Sequence, residues 1–403
     1  MIYLFIILLL VFLVYQYDYR RKESGRTFWL ITVTAILIIV GGLHYRLGFD
    51  TPGYEKFYET LKPLNLLRPK DLEATRFAPG FVVLASFTKL FSPEMVLFNF
   101  IEAGFLCGVV SWFFNRNTRN TFFALLLFFF FEYTLLVFEQ IREAFCVGIF
   151  LLAWPAFRDR KWLIWYALSF CALIFHTSAT FMFVLPAVTL PGIRQFLVFG
   201  KRTIIICCFV LLLGYAIQAK FSQYIEMIAL TEGTQEIASR YEGTDYLKGN
   251  FNLGGLFSQV FRMVLYPVLA MCCIGMSRKY NPYIEDLKKK EAFVLLSIYI
   301  SLFTIFVPII SRFNNYFFFF TIILVSDWVF EVIKLKGKRI RFKFIYWFIF
   351  FLPLFGMQLY SGYYVSISKS GKYKGYMVYY PYTSYIDKQK VDEREKIYHV
   401  SKR

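Results

Sequence analysis

A histidine, three arginines and an aspartate, set inside or at the ends of apolar stretches, are the residues of this chain best suited to chemistry. His176 stands in Phe175-His176-Thr177-Ser178-Ala179, within the apolar stretch 162 to 190, and is one of 3 histidines. An ionisable group at membrane depth is costly, so it usually faces a bundle interior or a water-filled cavity and has a role there. The competing reading is a neutral, hydrogen-bonded core histidine. Arg142 lies in Glu139-Gln140-Ile141-Arg142-Glu143, which interrupts two strongly apolar stretches. A guanidinium there can fork onto a phosphate or pyrophosphate through paired charge-assisted hydrogen bonds, or it can neutralise the loop by pairing with Glu139 or Glu143. Arg312, between Ile309-Ile310 and Phe313-Asn314-Asn315-Tyr316, is either a second anion contact or a side chain snorkelling to the interface.

The string His44-Tyr45-Arg46-Leu47-Gly48-Phe49-Asp50-Thr51-Pro52-Gly53-Tyr54 adds a further pair. Gly48 and Gly53 permit tight backbone geometry, and Arg46 and Asp50 bring opposite charges close enough to orient one another. The alternative is a structural turn closed by one salt bridge.

The motifs that are missing narrow the chemistry. The chain has no GxGxxG, no GxxxxGK[ST], no HExxH and no DxD pair to hold a metal with a nucleotide-sugar diphosphate. Glu285-Asp286 is surrounded by lysines and reads as a solvated face. Seven cysteines, at 107, 146, 171, 207, 208, 272 and 273, fall mostly in apolar runs without CxxC spacing, which argues against zinc or a disulfide framework. No metal and no cofactor is expected. A donor activated without a metal needs the charge of its leaving group met by arginines.

These residues must be positioned by helices in a bilayer. The 403 residues are 58% hydrophobic, with 50 Phe and 29 Tyr, and apolar runs recur almost to the end. Such runs match the roughly 17 to 25 residues that a spanning helix needs. The net charge of +18 comes from short basic clusters between these runs. That pattern fits cytoplasmic loops of a polytopic protein better than a nucleic-acid surface. Spans are expected near 2 to 16, 28 to 44, 95 to 114, 121 to 138, 140 to 156, 162 to 175, 177 to 190, 203 to 219, 254 to 276, 291 to 309, 313 to 333 and 342 to 360. The fold expected is thus all-α and polytopic, with about twelve transmembrane helices. Residues 1 to 360 form the transmembrane domain, with outer loops at 45 to 94 and 220 to 253, and 361 to 403 form a polar tail.

The first run is followed, not preceded, by Arg20-Arg21-Lys22, so it is a retained span with its N-terminus outside rather than a secretory signal. The basic loops then fall on the cytoplasmic side. Arg46, Asp50, Glu139, Arg142, His176 and Arg312 all fall at or near extracytoplasmic helix ends. The stretch 77 to 91, bounded by Pro79-Gly80 and Ser92-Pro93, breaks this parity and reads as re-entrant or interfacial. The tail ends outside by parity, although its lysines favour the cytoplasm.

The chain resembles the EpsG family of bacterial membrane proteins, a branch of the Wzy-like polysaccharide polymerases. The resemblance rests on Tyr45-Arg46-Leu47-Gly48-Phe49-Asp50 with Tyr54, on Ile141-Arg142, on Phe175-His176-Thr177-Ser178-Ala179 and on Tyr380-Pro381-Tyr382, in the family's order. Two positions depart from the family pattern. Glu143 stands where Gln commonly follows the helix-start arginine, and Ala78 stands where Glu usually precedes the Pro-Gly pair.

The resemblance implies a glycosyltransferase C-like enzyme of the bacterial inner membrane, with its active face extracytoplasmic. Donor and acceptor would both be undecaprenyl-pyrophosphate-linked glycans in membrane lipid, with other polysaccharide-assembly proteins as candidate partners and no nucleic acid. On this reading Arg142, with Arg312 or Arg46, holds the pyrophosphate as it leaves. His176, with an unperturbed pKa of about 6.5, takes the proton of the acceptor hydroxyl as general base. Asp50 is the alternative base, or the group that orients Arg46. Rival classes are a flippase or transporter of an anionic lipid-linked glycan, a glycan ligase, and a membrane-bound acyltransferase, whose donor is normally reached from the cytoplasm.

Overall fold

The computed structural model describes residues 1 to 200, 202 to 214, 216, 285 to 304, 311 to 334, 356 and 373 to 400. These residues are nearly all helical and contain no strand, only an isolated bridge between His44 and Ser384. The chain divides into two units, Met1–Leu185 with Phe355–Arg403, and Pro186–Leu354.

The first unit is built from α1 (Ile2–Leu13, continued by a π-helical segment Val14–Tyr19), α2 (Arg26–Leu43), α3 (Thr51–Thr60), α4 (Pro69–Glu73), α5 (Pro79–Thr88), α6 (Val96–Asn117), α7 (Thr121–Phe128), α8 (Ile141–Arg158) and α9 (Trp162–Phe175). Two π-helical segments, Phe129–Tyr133 and Leu135–Glu139, carry α7 on toward α8. Prolines open α3, α4 and α5 in their first turn, where the fixed φ suits a helix start and the missing N–H is no loss. The central helices α6 and α8 bury Leu106, Val110, Phe113, Val147, Phe150 and Trp154. Phe128 and Phe129 are core residues as well.

Four helical segments among the described residues are long and apolar enough to cross a membrane: Ile2–Tyr19, Arg26–Leu43, Val96–Asn117 and Arg312–Phe330. The expected count of about twelve is not reached among the described residues, for identifiable reasons. The stretch at 177 to 190 is broken into the 3-10 turn Thr177–Thr180, the single turn Phe181–Val184 and the 3-10 turn Leu185–Thr189, then bends by 92° into Pro191–Leu197. Pro186 and Pro191 each remove a backbone donor there. The expected spans at 254 to 276 and 342 to 360, apart from residue 356, and the loop at 220 to 253 lie outside the described residues. The off-parity stretch forms α5, whose 10 residues rise only about 15 Å, half of a hydrocarbon core.

One end of the first unit is basic. Arg21 donates to the Arg119 carbonyl at 3.0 Å and to Asn120 Oδ1 at 2.8 Å, and Arg26 donates to the Arg119 carbonyl at 3.1 Å and Thr121 Oγ1 at 2.9 Å. The turns α1–α2 and α6–α7, both expected on the cytoplasmic side, are therefore in contact. The opposite end carries residues 44 to 95 and the C-terminal segment, whose elements are the 3-10 turn Gly375–Val378 and the helix Asp392–Val400. The Tyr3 hydroxyl donates to the Tyr379 carbonyl at 3.0 Å, and the Tyr382 hydroxyl to the Val40 carbonyl at 2.9 Å. The backbone N–H of Tyr45 bonds Thr383 at 2.9 Å and that of Tyr385 bonds Leu43 at 2.8 Å. The C-terminal segment thus caps the end of the bundle at which α2 finishes and α1 begins.

In the second unit, helix Glu285–Thr304 pairs with helix Ser311–Lys334, packing Phe293 against Phe317 and Phe320 at 5.6 and 4.8 Å between ring centres. Phe317, Phe319 and Phe320 are buried.

Candidate functional site

The capped end of the first unit holds four of the five residues singled out by sequence. The loop from α2 to α3 is pressed onto the end of the α7 segment. Gly48 has φ +93°, and a Cβ there would stand 2.5 Å from the Phe138 carbonyl oxygen, so no side chain fits. Thr51 Oγ1 donates to that same carbonyl at 2.8 Å. Asp50 caps α3 through its backbone carbonyl, which accepts from the N–H of Gly53 at 2.9 Å and of Tyr54 at 3.1 Å, and its side chain is exposed.

Arg46 is engaged by carboxylates from outside this loop. Its Nε and Nη2 fork onto the two carboxylate oxygens of Glu395 at 2.6 and 2.7 Å, and its Nη1 bonds Glu55 Oε2 at 2.8 Å. Its carbonyl accepts from Arg394 Nη1 at 3.1 Å and the Tyr398 hydroxyl at 2.8 Å. Arg46, expected as a pyrophosphate contact or as a partner of Asp50, thus has its guanidinium on Glu395 and Glu55. One carboxylate comes from the nearby α3 and the other from the C-terminal helix. Arg394, itself buried, completes the lock by donating to Thr383 Oγ1 at 2.8 Å, the Met377 carbonyl at 3.3 Å and the Pro381 carbonyl. Burial pushes the Glu55 carboxyl up to about 7, with Glu59 and Glu395 adding to the shift against Arg46. One guanidinium faces two carboxylates there, so their charge is not fully met.

Arg142 is the second residue of α8, just past the break at Gln140. Neither neighbouring carboxylate neutralises it. Glu139 accepts from the Phe49 N–H at 3.2 Å and from the Tyr379 hydroxyl, while Glu143 is buried on α8. Arg142 instead donates from Nε to the Tyr54 hydroxyl at 3.4 Å, a long bond, and places its guanidinium carbon 4.9 Å from the Phe77 ring centre. It is half-buried and makes no ion pair with a described residue. Below it Tyr54, Phe77, Phe81, Phe98 and Phe145 form a buried aromatic cluster.

His176 ends α9 with extended backbone, φ −158° and ψ 139°, and caps the 3-10 turn that follows. Its Nδ1 accepts from the Ser178 backbone N–H at 3.0 Å and lies 2.8 Å from Ser178 Oγ. A backbone N–H can only donate, so Nδ1 is the unprotonated nitrogen and the neutral ring carries its proton on Nε2. In that tautomer the ring offers a donor at Nε2, while Nδ1 is held by the turn. His176 shares an end of the bundle with Arg142. Cys146, one turn along α8 from Arg142, donates to the Ala172 carbonyl at 3.1 Å, and Phe145 stacks on Phe175 at 4.9 Å. The start of α5 closes in from the other side, because a Cβ on Gly80 would stand 2.5 Å from Ile174 Cγ2.

Arg312, half-buried, opens helix Ser311–Lys334 in the second unit, beside Asn314, whose Oδ1 accepts from Ser297 Oγ of the paired helix.

Three participants escaped sequence reasoning. Glu55 and Glu395 stand in no motif that marks them. Arg76 lies inside the expected outer loop 45 to 94, and its guanidinium carbon is 5.0 Å from the same Phe77 ring centre that Arg142 covers. Its position directly before the aromatic that opens an apolar stretch was the available signal. Among the described residues no three His, Cys, Asp or Glu side chains gather as they would to hold a metal.

In comparisons with known proteins, the EpsG family matches residues 26–384. No curated protein and no solved structure matches the chain.

Proposed function

The chain belongs to the EpsG family, a family of Wzy-like polysaccharide polymerases, and from that membership we propose that it polymerises undecaprenyl-pyrophosphate-linked repeat units into surface polysaccharide. The protein is a membrane protein of polysaccharide-polymerase type. The finer reading places it in the bacterial inner membrane with the capped end outside, where lipid-linked units are presented.

The observation that carries this reading is Arg142, a guanidinium without an ion pair to a described residue, set at the start of α8 above an aromatic cluster. The bond from the anomeric carbon of the donor to its pyrophosphate breaks, and Arg142 stabilises the negative charge left on the departing lipid pyrophosphate. The N-terminal end of α8 adds a favourable dipole. The acceptor hydroxyl oxygen bonds the anomeric carbon and gives up its proton. Asp50 is the proton acceptor in this scheme, exposed at the start of the helix that also carries Tyr54, the hydrogen-bond partner of Arg142. His176, with its proton on Nε2, acts as a donor that orients substrate. Arg312, at the start of its helix in the second unit, remains a candidate anion contact in its own right.

The test is incubation of the purified protein with a lipid-linked repeat unit. A ladder of products with released undecaprenyl pyrophosphate, unaffected by a chelator and lost in R142Q, is expected. A single added unit would replace the polymerase reading by a ligase or simple transferase, and no bond formation would replace it by a transporter.

A further inference from the structure

We infer that Arg76 is a second anion-binding residue, which with Arg142 forms a two-cation clamp around Phe77 for the diphosphate of the lipid-linked donor. The inference rests on the reading of Arg142 as a phosphate contact and goes beyond it by naming the partner cation and the ligand's second phosphoryl group.

Three observations carry it. First, both guanidinium carbons stand close to one ring centre, Arg142 at 4.9 Å and Arg76 at 5.0 Å. The two charges are thus held within twice that distance of each other by a single buried aromatic, although they come from an exposed loop and from the start of α8. Second, neither cation has its charge met. Arg76 is exposed and makes no hydrogen bond or ion pair with a described residue, and Arg142 has only the long bond to the Tyr54 hydroxyl. Two like charges gathered without a carboxylate repel each other, and that arrangement is relieved when an anion binds between them.

Third, the surroundings fix the pair in place. Gly53, in the first turn of α3, leaves its side open to Arg76, whose Nη2 lies 3.8 Å from where a Cβ would stand. Tyr54, the next residue, packs its ring 5.8 Å from that of Phe77 and bonds Arg142 through its hydroxyl. The aromatic face holds each planar guanidinium by cation–π contact and leaves its terminal Nη groups for phosphate oxygens. Arg46, the arginine expected in this role, has its fork on Glu395 and its third nitrogen on Glu55. A diphosphate offers one phosphoryl group to each cation. A monophosphate engages one of them, so the clamp selects diphosphate over monophosphate on the same lipid.

The test compares binding of farnesyl pyrophosphate, farnesyl phosphate and inorganic pyrophosphate to the full-length protein in nanodiscs, for wild type, R76Q, R76K and R142Q. Wild type is expected to favour farnesyl pyrophosphate over farnesyl phosphate by about tenfold or more. R76Q should lose that preference, R76K should keep part of it, and both should keep the wild-type melting temperature, since Arg76 is exposed. Inorganic pyrophosphate should compete in wild type if the clamp recognises the diphosphate itself, and its failure to compete, with competition by farnesyl phosphate retained, would overturn the clamp and assign binding to the lipid chain. If R142Q loses the preference and R76Q keeps it, the Arg76 inference is overturned while the reading of Arg142 stands. If both variants keep it, the anion-site reading of Arg142 fails as well. A drop in melting temperature in R76Q with the preference intact would mean that Arg76 only shields Phe77.

Discussion

Arg46 and Glu395 lie 349 positions apart and meet fork to fork, with both carboxylate oxygens accepting from one guanidinium at 2.6 and 2.7 Å. This pair fastens the C-terminal helix to the first loop of the chain. Because the two side chains are only 19% and 24% exposed, water screens the pair little, and removing one partner leaves a poorly hydrated charge behind.

R46A should therefore lower stability by about 2 to 3 kcal/mol and free the C-terminal segment. Thermal unfolding in detergent measures the first effect, and faster proteolysis within residues 373 to 400 the second. The charge reversal R46E combined with E395R should recover part of the loss. Full stability in R46A would show that the tail is held by its aromatic and backbone contacts alone.

His176 can be divided atom by atom. In H176Q the side-chain amide sits near the Nε2 position and keeps a donor. H176N instead places its oxygen near the Nδ1 position, retaining the bond from the Ser178 N–H. A donor role predicts that H176Q keeps most of the polymer ladder while H176N folds normally and loses it. If H176Q is as inactive as H176A, the base assignment returns.

Arg142 should respond to chemistry rather than to charge alone. R142Q is expected to lower the rate of ladder formation by a factor on the order of 10² to 10³. R142K, which keeps the charge but not the fork, should fall between R142Q and wild type. A change in melting temperature matching the loss of activity would assign Arg142 to structure instead.

Glu55 gives the capped end a pH dependence of defined sign. Its carboxyl is raised from an ordinary 4.5 to about 7, chiefly by burial. The native state therefore holds a proton that the unfolded chain releases across that window. The associated stability is fully present below about pH 4.5 and is lost as pH rises to about 7. E55Q should flatten this slope, seen as a smaller fall in melting temperature between about pH 5 and pH 7.5. An unchanged slope would place the titration on another group.

Gly48 tests the seat of the loop. G48A puts a methyl group against the Phe138 carbonyl at a φ of +93°, and should cost about 1 to 3 kcal/mol. Unaltered stability would show that the loop shifts to make room.

The sequence alone determined the helical, membrane-bound character seen in the described residues, because apolar runs of spanning length satisfy their backbone hydrogen bonds in lipid within a helix. It also located Arg142 and His176, since polar residues interrupting such runs stand out against a uniform background. The start of α9 at Trp162 and its end at Phe175 were legible for the same reason. Partner choice was not legible. Nothing local distinguishes Arg46, which is locked to Glu395, from Arg142, which makes no ion pair with a described residue, because an ion pair across 349 positions depends on how the C-terminal segment folds back. Arg76 entered the site only when the loop before α5 brought it to the ring of Phe77 that Arg142 covers. Even the protonated nitrogen of His176 was settled by one backbone N–H two residues on, through a turn geometry that composition does not encode. Residue types fix which chemistry is available, and tertiary contacts decide which charges are paired within the described residues, as with Arg46, and which are not, as with Arg142.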